Sequence, residues 1–330
     1  MSRLPITIVT WDYDRVRALV DGRVQVEGCE VNYITMPVEE ILERAFFHHE
    51  FDVAEIGLSP YLIALSRGIA PYLAIPAFLS RMFRHSAIYI RADRGIESPA
   101  DLKGRRIGVP EYQMSAAMWT RGFLQDEFGM AAADIDWVQG GLETPGRRDK
   151  FPLNLPDGFP LVSAANGRTL SQLLAEGELD AVISARHPSC FAAGHPLIRR
   201  MFPDYRAAER DYYRRTGIFP IMHAVGIRRD VLEKHPWLPA SVYKAFVRAK
   251  RLADAEFSEV TALKIGLPWV AAEFDSTREV MGDDFWSYGV EPNRKTLELM
   301  ARYSYEQGLA VRPVSVEEMF VPSTLNEIRV

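Results

Sequence analysis

Short apolar runs alternate with helical stretches along most of the chain, and this alternation predicts its architecture. Residues 6–10 are a β-branched run that stops at Trp11-Asp12-Tyr13-Asp14, and a helix follows through Val20. Residues 31–36 and 51–58 read as two more strands. The first leads through Pro37, Glu39 and Glu40 into a helix, and the second into Ser59-Pro60, a cap followed by a proline at a helix start. Strands over 72–79 and 87–91 flank a polar, basic connection, Ser80-Arg81-Met82-Phe83-Arg84-His85. Strand 106–109, loop Pro110-Glu111-Tyr112-Gln113 and an amphipathic helix from about Ser115 to Phe128 follow, then strand 135–138. Strands separated by helices in this way point to βαβ units and a mainly parallel sheet.

The second half is less regular. Residues 140–160 are rich in Gly and Pro, which predicts a long loop carrying Arg147, Arg148 and Lys150, either a binding loop or a solvated surface. Residues 169–179 read as a helix, 180–185 as a buried strand ending in Arg186-His187-Pro188, and 220–228 as a strand. A helix is predicted over 238–264, with Val242, Phe246, Ala249, Leu252 and Ala253 at core spacing. The stretch 283–320 reads as helices and loops, clearest over 292–305. The phrase His85-Ser86-Ala87-Ile88-Tyr89-Ile90-Arg91 is echoed by His223-Ala224-Val225-Gly226-Ile227-Arg228, each with an aspartate two residues on.

At 330 residues the chain is long enough for two domains. Its net charge of -5 provides no basic field for nucleic acid or an anionic membrane, although a local arginine cluster could hold a small anion. No apolar run approaches the roughly 18 residues of a membrane span. The start, MSRLPITIVTWDYD, has no apolar leader segment, so a cytoplasmic location is expected. Cys29 and Cys190 lie far apart and read as buried thiols rather than zinc ligands. GxGxxG opening a βαβ unit, GxxxxGK[ST], GxSxG and HExxH are all missing, which disfavours dinucleotide, nucleoside triphosphate, serine-hydrolase and zincin chemistry. No metal ligand set or cofactor is expected, with a divalent ion left open.

Two resemblances then narrow the reading. DLKGRRIGVPEY resembles the segment that leads into the second lobe of the type II periplasmic-binding-protein fold. Together with DYD, FRHSAIYIRADRGI, GGLETPGRRDK and DAVISARHP, it makes residues 6–269 similar to the cytoplasmic 4,5-dihydroxyphthalate decarboxylases. The fold implied is α/β and two-lobed with a ligand cleft at the hinge. The first lobe would take residues 1–104 and 222–330, the second 105–221. The activity implied is cofactor-independent decarboxylation of 4,5-dihydroxyphthalate to 3,4-dihydroxybenzoate. The partner is a small aromatic dicarboxylate, and homo-oligomerisation stays open. Two alternatives remain: a non-catalytic solute-binding protein for an aromatic carboxylate, and an enzyme acting on another hydroxylated aromatic acid.

Such a reaction needs an acid to protonate the ring carbon that loses CO2, an acceptor near the phenol para to it, and a cation for the retained carboxylate. His85, His187 and His223 are candidate proton donors and Glu111 a candidate acceptor. Arg81, Arg84, Arg147 and Arg186 are candidate carboxylate anchors. Asp12, Asp14, Glu55 and Ser59 lie at strand ends, where they would engage substrate hydroxyls, orient a histidine or simply cap and pair. Tyr112, Gln113 and Ser115 stand at the entrance to the helix after strand 106–109, a place where open α/β sheets bind ligands. His48 and His49 read as surface residues.

Overall fold

The computed structural model describes residues 3–147, 149–165 and 167–326. In chain order the strands are β1 (Leu4–Thr10), β2 (Cys29–Thr35), β3 (Val53–Gly57), β4 (Tyr72–Arg81), β5 (Ile88–Arg91), β6 (Arg106–Val109), β7 (Asp136–Gln139), β8 (Leu161–Ser163), β9 (Ala181–Ile183), β10 (Ile198–Arg200) and β11 (Ile221–Arg228). They form two sheets, ordered β2-β1-β3-β11-β4 and β10-β5-β9-β6-β7-β8.

Each sheet is mixed rather than mainly parallel. In the first, β1 runs parallel to β2 and β3, whereas β11 is antiparallel to both β3 and β4. In the second, β6, β7, β8 and β9 run parallel and β5 is antiparallel to β9 and β10. Apolar character does not distinguish the two directions. A four-residue strand such as β5, buried throughout, reads the same whichever way it pairs.

The chain divides into two compact units. One holds the chain up to Arg81, then Thr216–Glu298 and the stretch from Val314; the other holds Met82–Arg215 and Leu299–Pro313. The division differs from the expected lobes in a way strand pairing explains. β5, placed with the first lobe by sequence, pairs Ile88 with Ile183 and Arg91 with Ile198, so the chain leaves the first unit at Arg81 rather than near Gly104. It also returns at Thr216, and the last part of the helix Arg294–Glu306 counts with the second unit.

The first unit is centred on β3, every residue of which is buried. The second has a core of Tyr89, Val138, Leu170, Leu173, Leu174, Val182 and Ile198 between sheet and helices. Its helix Ser115–Phe128 is buried over its first ten residues and ends at Gly129, whose φ of 66° suits the left-handed cap that glycine adopts without strain. At Gly122 a Cβ would stand 2.2 Å from the Tyr303 ring, so only glycine lets that ring lie against the helix. The helix predicted to run to residue 264 ends at Phe257. Beyond it the Glu259 carboxylate accepts from the Thr261 amide at 2.7 Å, a local bond that competes with helical pairing, and Gly266 and Pro268 lie further on. Among the described residues no helix is long and apolar enough to cross a membrane.

Candidate functional site

The first unit builds a polar centre on three neighbouring strands. Glu55 sits inside β3 and is fully buried, an expensive position for a carboxylate unless donors surround it. Three do. β11 pairs Val225 with Glu55 and His223 with Gly57, so His223 lies diagonally across on the same face and its Nδ1 bonds Glu55 Oε1 at 2.6 Å. At the end of β1 the Trp11 amide donates to Oε2 at 3.0 Å, and the Tyr13 hydroxyl donates to Oε1 at 2.7 Å. Burial alone would raise the Glu55 carboxyl. The hydrogen bond and charge of His223, with the Trp11 and Tyr13 donors, overcome it and hold the group below the usual carboxylate range. Tyr13 is pushed the other way, by burial first and then by the Glu55 charge.

With Nδ1 turned to Glu55, the second ring nitrogen of His223 is the one that Glu55 does not engage. Around this dyad, the Arg15 guanidinium lies 3.9 Å from the centre of the Tyr13 ring and 4.2 Å from that of Trp286, and Arg15 Nε donates to the Leu79 carbonyl at 2.7 Å. The other candidates of this unit stand apart in role. Asp12 is exposed and paired with Arg17 at 3.0 Å, and Asp14 is exposed and paired with Arg15 at 3.0 Å. Arg81 donates to Asn293 Oδ1 at 2.9 Å and to the Phe219 carbonyl at 2.8 Å, which makes it a tie between loops of this unit. Ser59 is buried in the first turn of the helix Leu58–Ser66.

The second unit holds the remaining candidates in three places. Glu111 is buried and clamped by Arg147 and by Lys150, the latter at 2.9 Å. Burial would raise its carboxyl, but the Lys150 and Arg147 charges bring it below its ordinary value, so Glu111 is a neutralised anion that fastens the 140–160 loop. Gln113 does the same work through Phe151, its Nε2 donating to that carbonyl at 2.9 Å. The Tyr112 ring lies 3.7 Å beneath the buried Arg121 guanidinium, and Ser115 is buried at the start of the helix Ser115–Phe128. Arg148 lies outside the described residues.

His85 is caged by rings of the same unit. Phe123 stacks on it with centroids 4.5 Å apart, and Phe202 and Tyr212 meet it edge-on at 5.2 Å each. Burial pushes the imidazole down to about 4, which keeps it neutral at pH 7 and argues against a proton-donating role there. His187 and Arg186 are exposed, and His187 Nδ1 shares a hydrogen bond with the Tyr89 hydroxyl. Arg84 is buried close to Tyr89.

The structure thus joins Glu55 with His223, Glu111 with Arg147 and Lys150, and His187 with Tyr89, on whose phenol the Arg84 charge acts. It also adds Tyr13, Arg15, Tyr89 and Arg200, whose guanidinium lies 5.0 Å from the Phe191 ring centre and 5.9 Å from that of Tyr89. Tyr13 lay inside the DYD phrase already singled out; no signal marked Arg200 among the chain's many arginines. Among the described residues no group of three or more His, Cys, Asp or Glu side chains is arranged to hold a metal ion.

Comparison with known proteins gives a consistent family. A family model described as NMT1/THI5 like matches residues 25–145. A 4,5-dihydroxyphthalate decarboxylase of Comamonas testosteroni is 45% identical over 330 residues, covering 100% of both chains. One from Pseudomonas putida is 49% identical over 214 residues, 65% of this chain and 83% of that protein. Among solved structures, the periplasmic aliphatic sulphonate binding protein SsuA from Escherichia coli matches with a TM-score of 0.55 at 15% identity, over 98% of this chain and 99% of that one. A putative periplasmic sulfonate-binding protein from Methylobacillus flagellatus KT gives a TM-score of 0.53 at 16% identity, over 98% and 94%. These two likenesses concern the fold alone, which is that of the periplasmic binding proteins.

Proposed function

The chain belongs to the 4,5-dihydroxyphthalate decarboxylase family, and from that membership we propose how its own side chains release CO2 from 4,5-dihydroxyphthalate. The reaction is that of a carboxy-lyase. The bond between a ring carbon and its carboxylate breaks, the electron pair stays with the ring, and a proton takes the place of CO2 to give 3,4-dihydroxybenzoate.

The ring supplies its own driving force. The hydroxyl para to the departing carboxylate, on losing its proton, pushes electron density to that carbon, which accepts a proton before the C–C bond opens and aromaticity returns. The chemistry therefore needs no separate electron sink, and the route proposed is cofactor-free. His223 is the proton donor, through the ring nitrogen that does not face Glu55. Glu55 orients the imidazole and balances its charge when it carries both protons, while Trp11 and Tyr13 keep Glu55 ionised and in place.

The observation that supports this assignment is the 2.6 Å bond between His223 and a buried carboxylate with which, among the described residues, no arginine or lysine pairs. Of the three candidate histidines, His223 alone is bonded to a carboxylate among the described residues; His85 lies among rings and His187 on a tyrosine.

The test is turnover of 4,5-dihydroxyphthalate by chelator-treated protein, with the product separated by chromatography. Native protein should form 3,4-dihydroxybenzoate, and His223→Gln should lose roughly 10²- to 10⁴-fold in kcat, the usual worth of a placed acid. A native rate restored only by a divalent ion would overturn the cofactor-free route. A His223→Gln variant with native kcat would overturn the donor assignment.

A further inference from the structure

The second unit carries a buried charge that its own residues do not balance. Arg84 is 7% exposed, yet among the described residues no carboxylate forms an ion pair with it. Among the described residues its Nη1 reaches the Met82 sulfur alone, at 3.6 Å, and its Nε has no hydrogen-bond partner. Burying a guanidinium without a paired acid is costly, and the strain shows as a drop toward about 10, caused first by desolvation.

The groups around it point the same way. Arg200 is half-buried and likewise has no ion-paired acid among the described residues. Its guanidinium lies 4.7 Å from the Tyr205 ring centre, 5.0 Å from that of Phe191 and 5.9 Å from that of Tyr89. Tyr89 feels both arginines and shares its hydroxyl with His187, which is exposed. The acid whose charge acts on both arginines is Glu209; it accepts from the Ser86 amide at 3.2 Å, and burial raises its carboxyl. Two permanent cations thus face one weakened acid, leaving about one positive charge for an external anion.

We propose that Arg84 and Arg200 form a carboxylate-binding site in the second unit, with Tyr89 and Phe191 supplying the ring faces that make an aromatic acid its occupant. The guanidinium fork of Arg84 matches a carboxylate's two oxygens, and Arg200 adds charge from the aromatic side. That the occupant is the aromatic acid of the decarboxylase reaction, rather than another aromatic acid, rests on the family reading; the unbalanced charge does not.

The experiment compares calorimetric binding of 3,4-dihydroxybenzoate with that of catechol, the same ring without a carboxylate, in native protein and in Arg84→Gln. Native protein should prefer the acid, and Arg84→Gln should lose about 10- to 100-fold of that preference, with catechol affinity unchanged. Arg84→Lys, which keeps the charge but not the fork, and Arg200→Gln should each lose less, and they carry the test should Arg84→Gln fail to fold. Undiminished preference for the acid in all three overturns the site. KM for 4,5-dihydroxyphthalate separates the sources: a rise in parallel assigns the site to the substrate, and a constant KM assigns it to a separate aromatic acid. Because binding is measured directly, absence of turnover would count against the decarboxylase reading and leave this test intact.

Discussion

His223 and His85 open similar phrases in the sequence and meet opposite surroundings in the structure. His223 lies on β11, where antiparallel register with β3 sets it diagonally across from Glu55, a carboxylate with no arginine or lysine on it among the described residues. His85 lies in a turn before β5, stacked on Phe123, with its Nδ1 unpartnered among the described residues. The charges that act on it, Glu127 and Arg215, are bound to one another at 2.8 Å. What separates the histidine proposed as proton donor from the one that packs is therefore not the residue or its local phrase. It is whether a cross-strand neighbour supplies a permanent anion.

The strongest way to break this contrast is to remove the anion while keeping its shape. Glu55→Gln retains an acceptor for the Trp11 amide but leaves the His223 imidazole without a negative partner. We expect kcat to fall about 10²-fold, close to 3 kcal/mol of transition-state stabilisation, with KM little changed. Steady-state kinetics on 4,5-dihydroxyphthalate decides it. A kcat within threefold of native would mean that Glu55 serves only the fold.

The second effect is on stability, and it belongs to His85. An imidazole held at about 4 in the folded state, against 6.5 when unfolded, binds its proton more readily once the chain has opened. Stability therefore falls as pH drops through 6.5 toward 4, by about 2 kcal/mol between pH 7 and pH 5. His85→Leu is neutral at every pH and should remove that slope, whatever cavity or strain it adds as a constant offset. Urea melts at pH 7 and pH 5 read the difference directly, and an unchanged slope would place the acid sensitivity elsewhere. Activity at pH 7 should persist in this variant if its fold does, which is the converse of the expectation for His223.

The contrast also marks how far the sequence could be read. Most strand positions follow from apolar runs and the α/β class from their alternation with helices, because burial imposes those patterns locally; the three-residue strands β8 and β10 carry too short a pattern to read, and the division into two lobes is implied by the family resemblance rather than by the alternation, which points to a mainly parallel sheet. The partner of β5 did not follow, since a short strand buried on both faces carries no mark of which sheet will take it. The same limit applies at the site. Glu55, His223, Glu111 and Arg84 are chemically apt by residue type, but sequence cannot show that Arg147 and Lys150 neutralise Glu111 while Arg84 has no ion-paired acid among the described residues. Charge balance is set by long-range contacts. Glu55 and His223 are 168 residues apart, and Glu111 and Lys150 are 39 apart.

The smallest expected effect sharpens the first unit's side of the comparison. Tyr13 is one of three donors on Glu55, and Tyr13→Phe removes its hydroxyl while keeping a ring beneath the Arg15 guanidinium. Losing one hydrogen bond to a buried carboxylate should cost about 1 kcal/mol of stability and reduce kcat less than tenfold, because Trp11 and His223 still hold the group. The pH dependence gives a sharper readout. Glu55 is depressed below its ordinary value, so its contribution to stability is complete above about 4.5 and is lost as pH falls through the lower folded-state value. Without the Tyr13 donor that folded-state value rises toward 4.5, and the window in which Glu55 stabilises the fold against acid narrows. Acid titration followed by tyrosine-independent circular dichroism should show the transition of Tyr13→Phe shifted to higher pH than native. An unshifted transition would mean that the two remaining donors suffice, and that Tyr13 holds Arg15 rather than Glu55.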